Sequence, residues 1–117
     1  MKKVVIAFDC DGTLITTSSA AEGRIVANER IRSMLITFAS FKNVRIVVWS
    51  GAGEAWAQQV VHELGLRKYV NIVGSKNHIG KDAQGKHQFE PGFIPDIAID
   101  DIQDCELGLF NLIVREK

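Results

Sequence analysis

Five apolar residues, Val4-Val5-Ile6-Ala7-Phe8, run directly into Asp9-Cys10-Asp11-Gly12-Thr13-Leu14. An uninterrupted run rich in valine and isoleucine suits a central parallel strand covered on both faces. Ligand sites of open α/β sheets lie beyond the carboxyl ends of such strands, which is where Asp9 and Asp11 fall. Two carboxylates ~4 Å apart at an effective dielectric of 20 repel by roughly 4 kcal/mol, so the pair requires a cation or a shared proton. Oxygen-only ligands favour a hard ion such as Mg²⁺. The same residues also fit a plainer structure, in which Asp11-Gly12 is the turn of a hairpin from residues 4–8 into Thr13-Leu14-Ile15.

The rest of the chain alternates strand-like and helix-like segments. Leu14 to Thr17 reads as a short flap and Ser18 to Gly23 as a small, polar loop. Asn28 is placed to cap a helix whose apolar positions Ile31, Met34, Leu35, Phe38 and Phe41 recur with helical spacing, and Asn43 closes it. Val44 to Trp49 forms a second strand ending in Ser50-Gly51-Ala52-Gly53. Trp56, Val60 and Leu64 mark a second helix, with Gly65 as the residue that ends it. Tyr69 to Val73 is expected as a third strand. Ile97-Ala98-Ile99 gives a fourth, ending in Asp100-Asp101, and Leu112-Ile113-Val114 a fifth. Only residues 74–95 lack clear periodicity, and loops of that length are uncommon unless functional.

Parallel neighbours need crossover connections, so this alternation argues for a helix-covered, mainly parallel five-stranded α/β sheet. A chain of 117 residues is expected to form one domain, 1–117, with an irregular loop or small hairpin at about 77–95. Lysine plus arginine equals aspartate plus glutamate, 14 of each, so no global field recruits nucleic acid or an anionic membrane. The first apolar run is too short for a signal peptide, and no run approaches a membrane span of about 18 residues. Two cysteines are too few for a disulfide scaffold, and neither has a partner at metal-ligand spacing. They read as packed residues of a cytoplasmic protein.

In a parallel sheet the polar strand ends converge. Asp9 and Asp11 end the first strand, Ser50 the second, Asp100 and Asp101 the fourth, all on one carboxyl edge. Capping does not require acids and a hydroxyl to meet from three strands, so a site is favoured over turn chemistry alone.

These residues resemble haloacid dehalogenase-like hydrolases. Asp9-Cys10-Asp11-Gly12-Thr13-Leu14 is similar to the family's first motif, and Val47-Val48-Trp49-Ser50-Gly51 to its second. Lys76 resembles the third-motif lysine and Ile97-Ala98-Ile99-Asp100-Asp101 the acidic fourth motif. The resemblance runs from residue 4 to about 114 and finds no counterpart for 77–95. It implies a Rossmann-like three-layer sandwich with strand order 5-4-1-2-3. It also implies a phosphatase in which Asp9 attacks phosphorus and forms an aspartyl-phosphate. Asp11 would protonate the leaving oxygen and later deprotonate water. Thr13 would shape the entrance, and Ser50, the Gly51 N–H and Lys76 would bind the phosphoryl oxygens. Asp9, the Asp11 carbonyl and Asp100 would hold Mg²⁺, with Asp101 steering a metal-bound water.

Two of these positions have rivals: Lys81 for Lys76, and Asp104, otherwise a helix-capping residue, for Asp101. The chain departs from the larger family members in size, with no stretch long enough for a cap domain, and the resemblance leaves the substrate as a phosphomonoester of unspecified class. His78 and His87, nine apart with no acid partner, read as loop histidines. Two other functions compete. A phosphoacceptor signalling module uses a similar set of groups, but receivers carry their acceptor aspartate on a later strand. A nucleic-acid end-processing phosphatase would take a polynucleotide only as substrate, its loop lysines contacting the backbone.

Overall fold

The structure, a computed structural model, describes residues 2–76, 80–81, 87–89, 94–101 and 107–115. Among the described residues, seven strands and three helices follow in the order β1 (Val4–Asp9), α1 (Thr17–Ala21), α2 (Glu29–Ala39), β2 (Val44–Ser50), α3 (Glu54–Glu63), β3 (Ile72–Ser75), β4 (Gly80–Lys81), β5 (His87–Phe89), β6 (Ile97–Asp100) and β7 (Phe110–Ile113). Five of them form one sheet in the order β3-β2-β1-β6-β7. Every pairing in it is parallel. The expected strand order is therefore the observed one, and the apolar run Val4 to Phe8 occupies the centre. β4 and β5 pair antiparallel outside this sheet, with Gly80 opposite Phe89. That pairing falls within 77–95, where His78, Gln84 and Gly85 lie outside the described residues, as do Asp104 and Cys105 further on.

Alternation along the strands sorts their side chains onto two faces. Ile6, Phe8, Ile46, Val48 and Ile99 meet Ile31 and Leu35 of α2, Ala57, Val60 and Val61 of α3 and Leu64 just past its end in one buried cluster. Ala7, Val47 and Trp49 are buried on the opposite face, with Val5, Ile72 and Leu107 against them. Burial on both faces is what a Rossmann-like α/β domain requires of its central strands, and it explains why β1 and β2 are apolar at nearly every position.

The end of α3 follows its sequence signal, whereas α2 stops at Ala39, short of Asn43. α3 starts after Gly53, with φ 115, and carries Glu54 in its first turn and His62 in its last. It stops at Gly65, whose φ of 68 is the left-handed turn glycine adopts at least cost. There Leu66 N–H donates to the Val61 carbonyl and Gly65 N–H to the His62 carbonyl, satisfying two otherwise open acceptors. α2 starts after Asn28, although the Asn28 side chain makes no capping bond. Arg32 Nε donates to the Leu64 carbonyl and ties α2 to the end of α3.

Four boundaries depart from the sequence expectations. Thr17–Ala21 is a short helix instead of a loop, because the Thr16 hydroxyl caps it by accepting from the Ser19 N–H. The third strand begins at Ile72, later than Tyr69, because Tyr69 N–H closes a turn onto Leu66. Asn71 then enters the sheet edge through its side chain, accepting from Ile46 N–H at 2.7 Å. The last strand is Phe110–Ile113, two residues before the expected start at Leu112. Phe41 lies past the end of α2 and is exposed. No described helix is long and apolar enough to cross a membrane.

Leu35 is fully buried between α2 and the sheet. Leu35→Ala is expected to lower the unfolding free energy by about 2–5 kcal/mol, measured by urea titration with an unchanged slope.

Candidate functional site

β1 and β6 are parallel neighbours, with Phe8 beside Ile99, so their next residues bring Asp9 and Asp100 together at the carboxyl edge. Both are buried. Two buried acids on adjacent strands need a counter-charge, and Lys76 supplies it from just beyond β3. Its Nζ donates to Asp9 Oδ1 at 2.8 Å and to Asp100 Oδ2 at 2.5 Å. The Lys76 backbone N–H donates to the Ser50 carbonyl and fixes where that side chain starts. Thr13 Oγ1 donates to the other Asp9 oxygen at 3.2 Å.

Asp101 completes the group. Carboxylate oxygens of Asp9, Asp100 and Asp101 lie within 4.8 Å of one another. Gly12 makes this approach possible: a Cβ on it would stand 2.1 Å from Asp101 Oδ2, and its φ of 80 disfavours any side chain. Asp11-Gly12 does turn, since the N–H groups of Thr13 and Ile15 both donate to the Cys10 carbonyl, but the hairpin from residues 4–8 into Thr13-Leu14-Ile15 does not form, because β2 and β6 occupy both edges of β1. Turn and acidic cluster are thus one construction, in which the turn clears space for the third acid.

The two acids at the end of β1 have different surroundings. Asp9 faces Lys76 and Thr13, whereas Asp11 Oδ1 accepts from Trp56 Nε1 at 2.7 Å. The Asp11 carboxylate is not among the three clustered ones. Trp56 was legible in the sequence only as an apolar position of its helix. The available signal was its N–H, which needs a partner when the ring is half-buried. Ser50 is buried at the end of β2, and its hydroxyl accepts from Ala52 N–H at 3.0 Å. Gly51 is exposed in the turn leading to α3.

Burial pushes the Asp9 carboxyl up to about 7, with Asp100 and Asp101 adding repulsion and Lys76 opposing the rise. Asp101 is also raised, by burial first and then by its hydrogen bond with Asp100. Burial disfavours the Lys76 ammonium, but Asp9 and Asp100 outweigh it and hold that group above its ordinary value. Cys10 is raised by burial and by the flanking acids, so it stays a thiol, and its Sγ lies 3.7 Å from the Trp49 carbonyl. It is a packed residue, as its spacing suggested.

Three carboxylates and no nitrogen or sulfur donor make an oxygen set suited to a hard dication. The lysine does not exhaust this set, because a carboxylate offers about four acceptor positions. The rival positions, the Lys81 side chain and Asp104, lie outside the described residues.

The raised Asp9 carboxyl has a consequence for the cation-free protein. A carboxyl at about 7 when folded and 3.8 otherwise retains its proton in the folded state alone across that interval. Its stabilising contribution is full below pH ~4 and is lost as pH rises towards 7. The melting temperature in excess chelator is expected to fall over that range. Asp9→Asn should flatten the fall, checked by calorimetry across the same pH range.

Compared with known proteins, the chain matches no family model, no curated protein and no solved structure.

Proposed function

We propose that this protein is a Mg²⁺-dependent phosphatase of the haloacid dehalogenase-like type, hydrolysing phosphomonoesters through an aspartyl-phosphate on Asp9. The observation that carries the reading is Lys76 Nζ bridging Asp9 and Asp100, with Asp101 alongside, at the carboxyl edge of a parallel sheet. Asp9, Asp100 and the Asp11 carbonyl would hold the ion, with Asp101 beside them. When bound, Mg²⁺ supplies positive charge that favours ionised Asp9 and offsets the charge of the phosphoryl group.

The charge count favours both a dication and a lysine. Asp9, Asp11, Asp100 and Asp101 bring four negative charges when ionised, and a phosphate dianion adds two. A dication and Lys76 return three, and a proton on Asp11 removes one more, so the excess falls from six negative charges to two.

The chain's own groups then have separable tasks. Asp9 Oδ attacks phosphorus while the ester oxygen departs, and Asp11 gives that oxygen a proton. Water then attacks the aspartyl-phosphate, Asp11 takes a proton back, and inorganic phosphate leaves. Lys76 and the Gly51 N–H face the phosphoryl oxygens from the β2 and β3 ends, and the Ser50 hydroxyl shapes the same turn. The α3 N-terminus beyond Gly53 adds favourable potential for an anion.

Hydrolysis of an aryl phosphate is expected to require Mg²⁺ and to vanish in Asp9→Asn with the fold retained by circular dichroism. Lys76→Ala should cost about two orders of magnitude or more in kcat/KM, as for loss of one preorganised charge stabiliser. Full turnover by folded Asp9→Asn would eliminate the covalent mechanism. Sugar phosphates, nucleotides, phosphopeptides and oligonucleotide ends, each assayed with and without Mg²⁺, would assign the substrate class.

A further inference from the structure

We propose that the protein associates with a second copy of itself through β7, the two strands pairing antiparallel about a two-fold axis at Leu112. β7 is an edge strand of the parallel sheet. Leu109, Phe110, Leu112 and Ile113 there are 69%, 68%, 49% and 40% exposed. Edge strands that stay unpaired are ordinarily blunted by lysine, proline or a bulge, and residues 109–114 contain neither lysine nor proline. The apolar side chains lie on both faces of the strand, so one further layer on either face of the domain would not cover them all.

The backbone sets the register. Phe110 N–H donates to the Asp96 carbonyl and Val114 N–H to the Asp100 carbonyl, so even-numbered residues turn their backbone groups towards β6. By strand alternation, Asn111 and Ile113 turn theirs to the open edge. An antiparallel pair about Leu112 places Asn111 of each copy opposite Ile113 of the other, where both can exchange hydrogen bonds. Leu112 then faces itself and Phe110 faces Val114, at the positions where side chains approach most closely.

That register also gives Phe110 somewhere to go. Leu112 and Val114 line a cavity of about 300 Å³ between β7 and the start of α2, together with Ile31, Met34 and the two arginines Arg30 and Arg115. Phe110 shares the face of Leu112 and Val114, so each copy presents one aromatic side chain opposite the mouth of the other's cavity. A two-fold interface requires such self-complementarity. The four exposed side chains present on the order of 400 Å² per copy, against the roughly 500 Å² per side that a specific interface needs. Met34 and the aliphatic stems of Arg30 and Arg115 line the cavity and add apolar surface there. The pairing makes no use of the aspartates or Lys76, so it stands independently of the phosphatase reading.

The test is sedimentation of the full chain together with cross-linking at the axis. The parent is expected to show a concentration-dependent dimer. Leu112→Glu, which sets two carboxylates face to face, should raise its dissociation constant at least tenfold with an unchanged far-ultraviolet spectrum. Leu112→Cys, oxidised with diamide, should form a covalent dimer, because Cα atoms at such a position lie ~4.5 Å apart, within disulfide reach. Leu109→Cys, which the register sets opposite residue 115, should not cross-link, and the oxidised parent controls for Cys10 and Cys105. A parent that stays monomeric at about 100 µM, as when some other partner uses this edge, overturns the proposal. So does a dimer that Leu112→Cys fails to cross-link.

Discussion

The ammonium of Lys76 between Asp9 and Asp100 is the contact on which this arrangement depends. Buried carboxylates on neighbouring strands repel, and without an opposite charge one of them would take up a proton or leave the interior. Sheet order makes the contact possible. β1 and β6 are adjacent and parallel, so their carboxyl ends coincide. Lys76 reaches them from β3, across β2, because Ser50 fixes its backbone at the end of the neighbouring strand. The cluster is therefore a consequence of topology as much as of residue choice, since any other strand order would separate its members.

The central features were legible because they are local and strong. The run Val4 to Phe8 can hardly be anything but a strand buried on both faces, and the alternation of periodicities required crossovers and hence a parallel sheet. Once the sheet is parallel, polar strand ends must gather on one edge, and the gathering of Asp9, Ser50, Asp100 and Asp101 needed no further information. Less legible were features decided by side chains bonding to the backbone. Thr16 turns a polar stretch into one and a half turns of helix, and Asn71 substitutes for a strand residue at the start of β3. Serine, threonine and asparagine offer the backbone such alternatives everywhere, and periodicity cannot show which are taken.

Gly12 shows how one residue can satisfy two readings. A glycine after aspartate is a common turn signal, and here its φ is positive as such a turn requires. The space left by the missing side chain is filled by the Asp101 carboxylate from 89 positions further along the chain. Local propensity and a long-range contact therefore ask for the same residue, the consistency across levels that marks a well-specified structure.

The pair Asp9 and Asp11 carries the last step. Two acids spaced two apart on an extended strand would share one face and one environment, and nothing would divide nucleophile from proton donor. The chain prevents this by ending β1 at Asp9 and turning at once, so that Asp9 points into the lysine-bridged cluster while Asp11 meets the indole N–H of Trp56. One carboxylate is held by a full positive charge and a hydroxyl, the other by a neutral donor in the first turn of α3. The Asp9 carboxyl is the one that burial pushes up, so its proposed role as nucleophile requires the dication that favours its ionised form. The division of labour proposed for these aspartates thus rests on the turn at Gly12 and on an indole nitrogen as much as on the acids themselves.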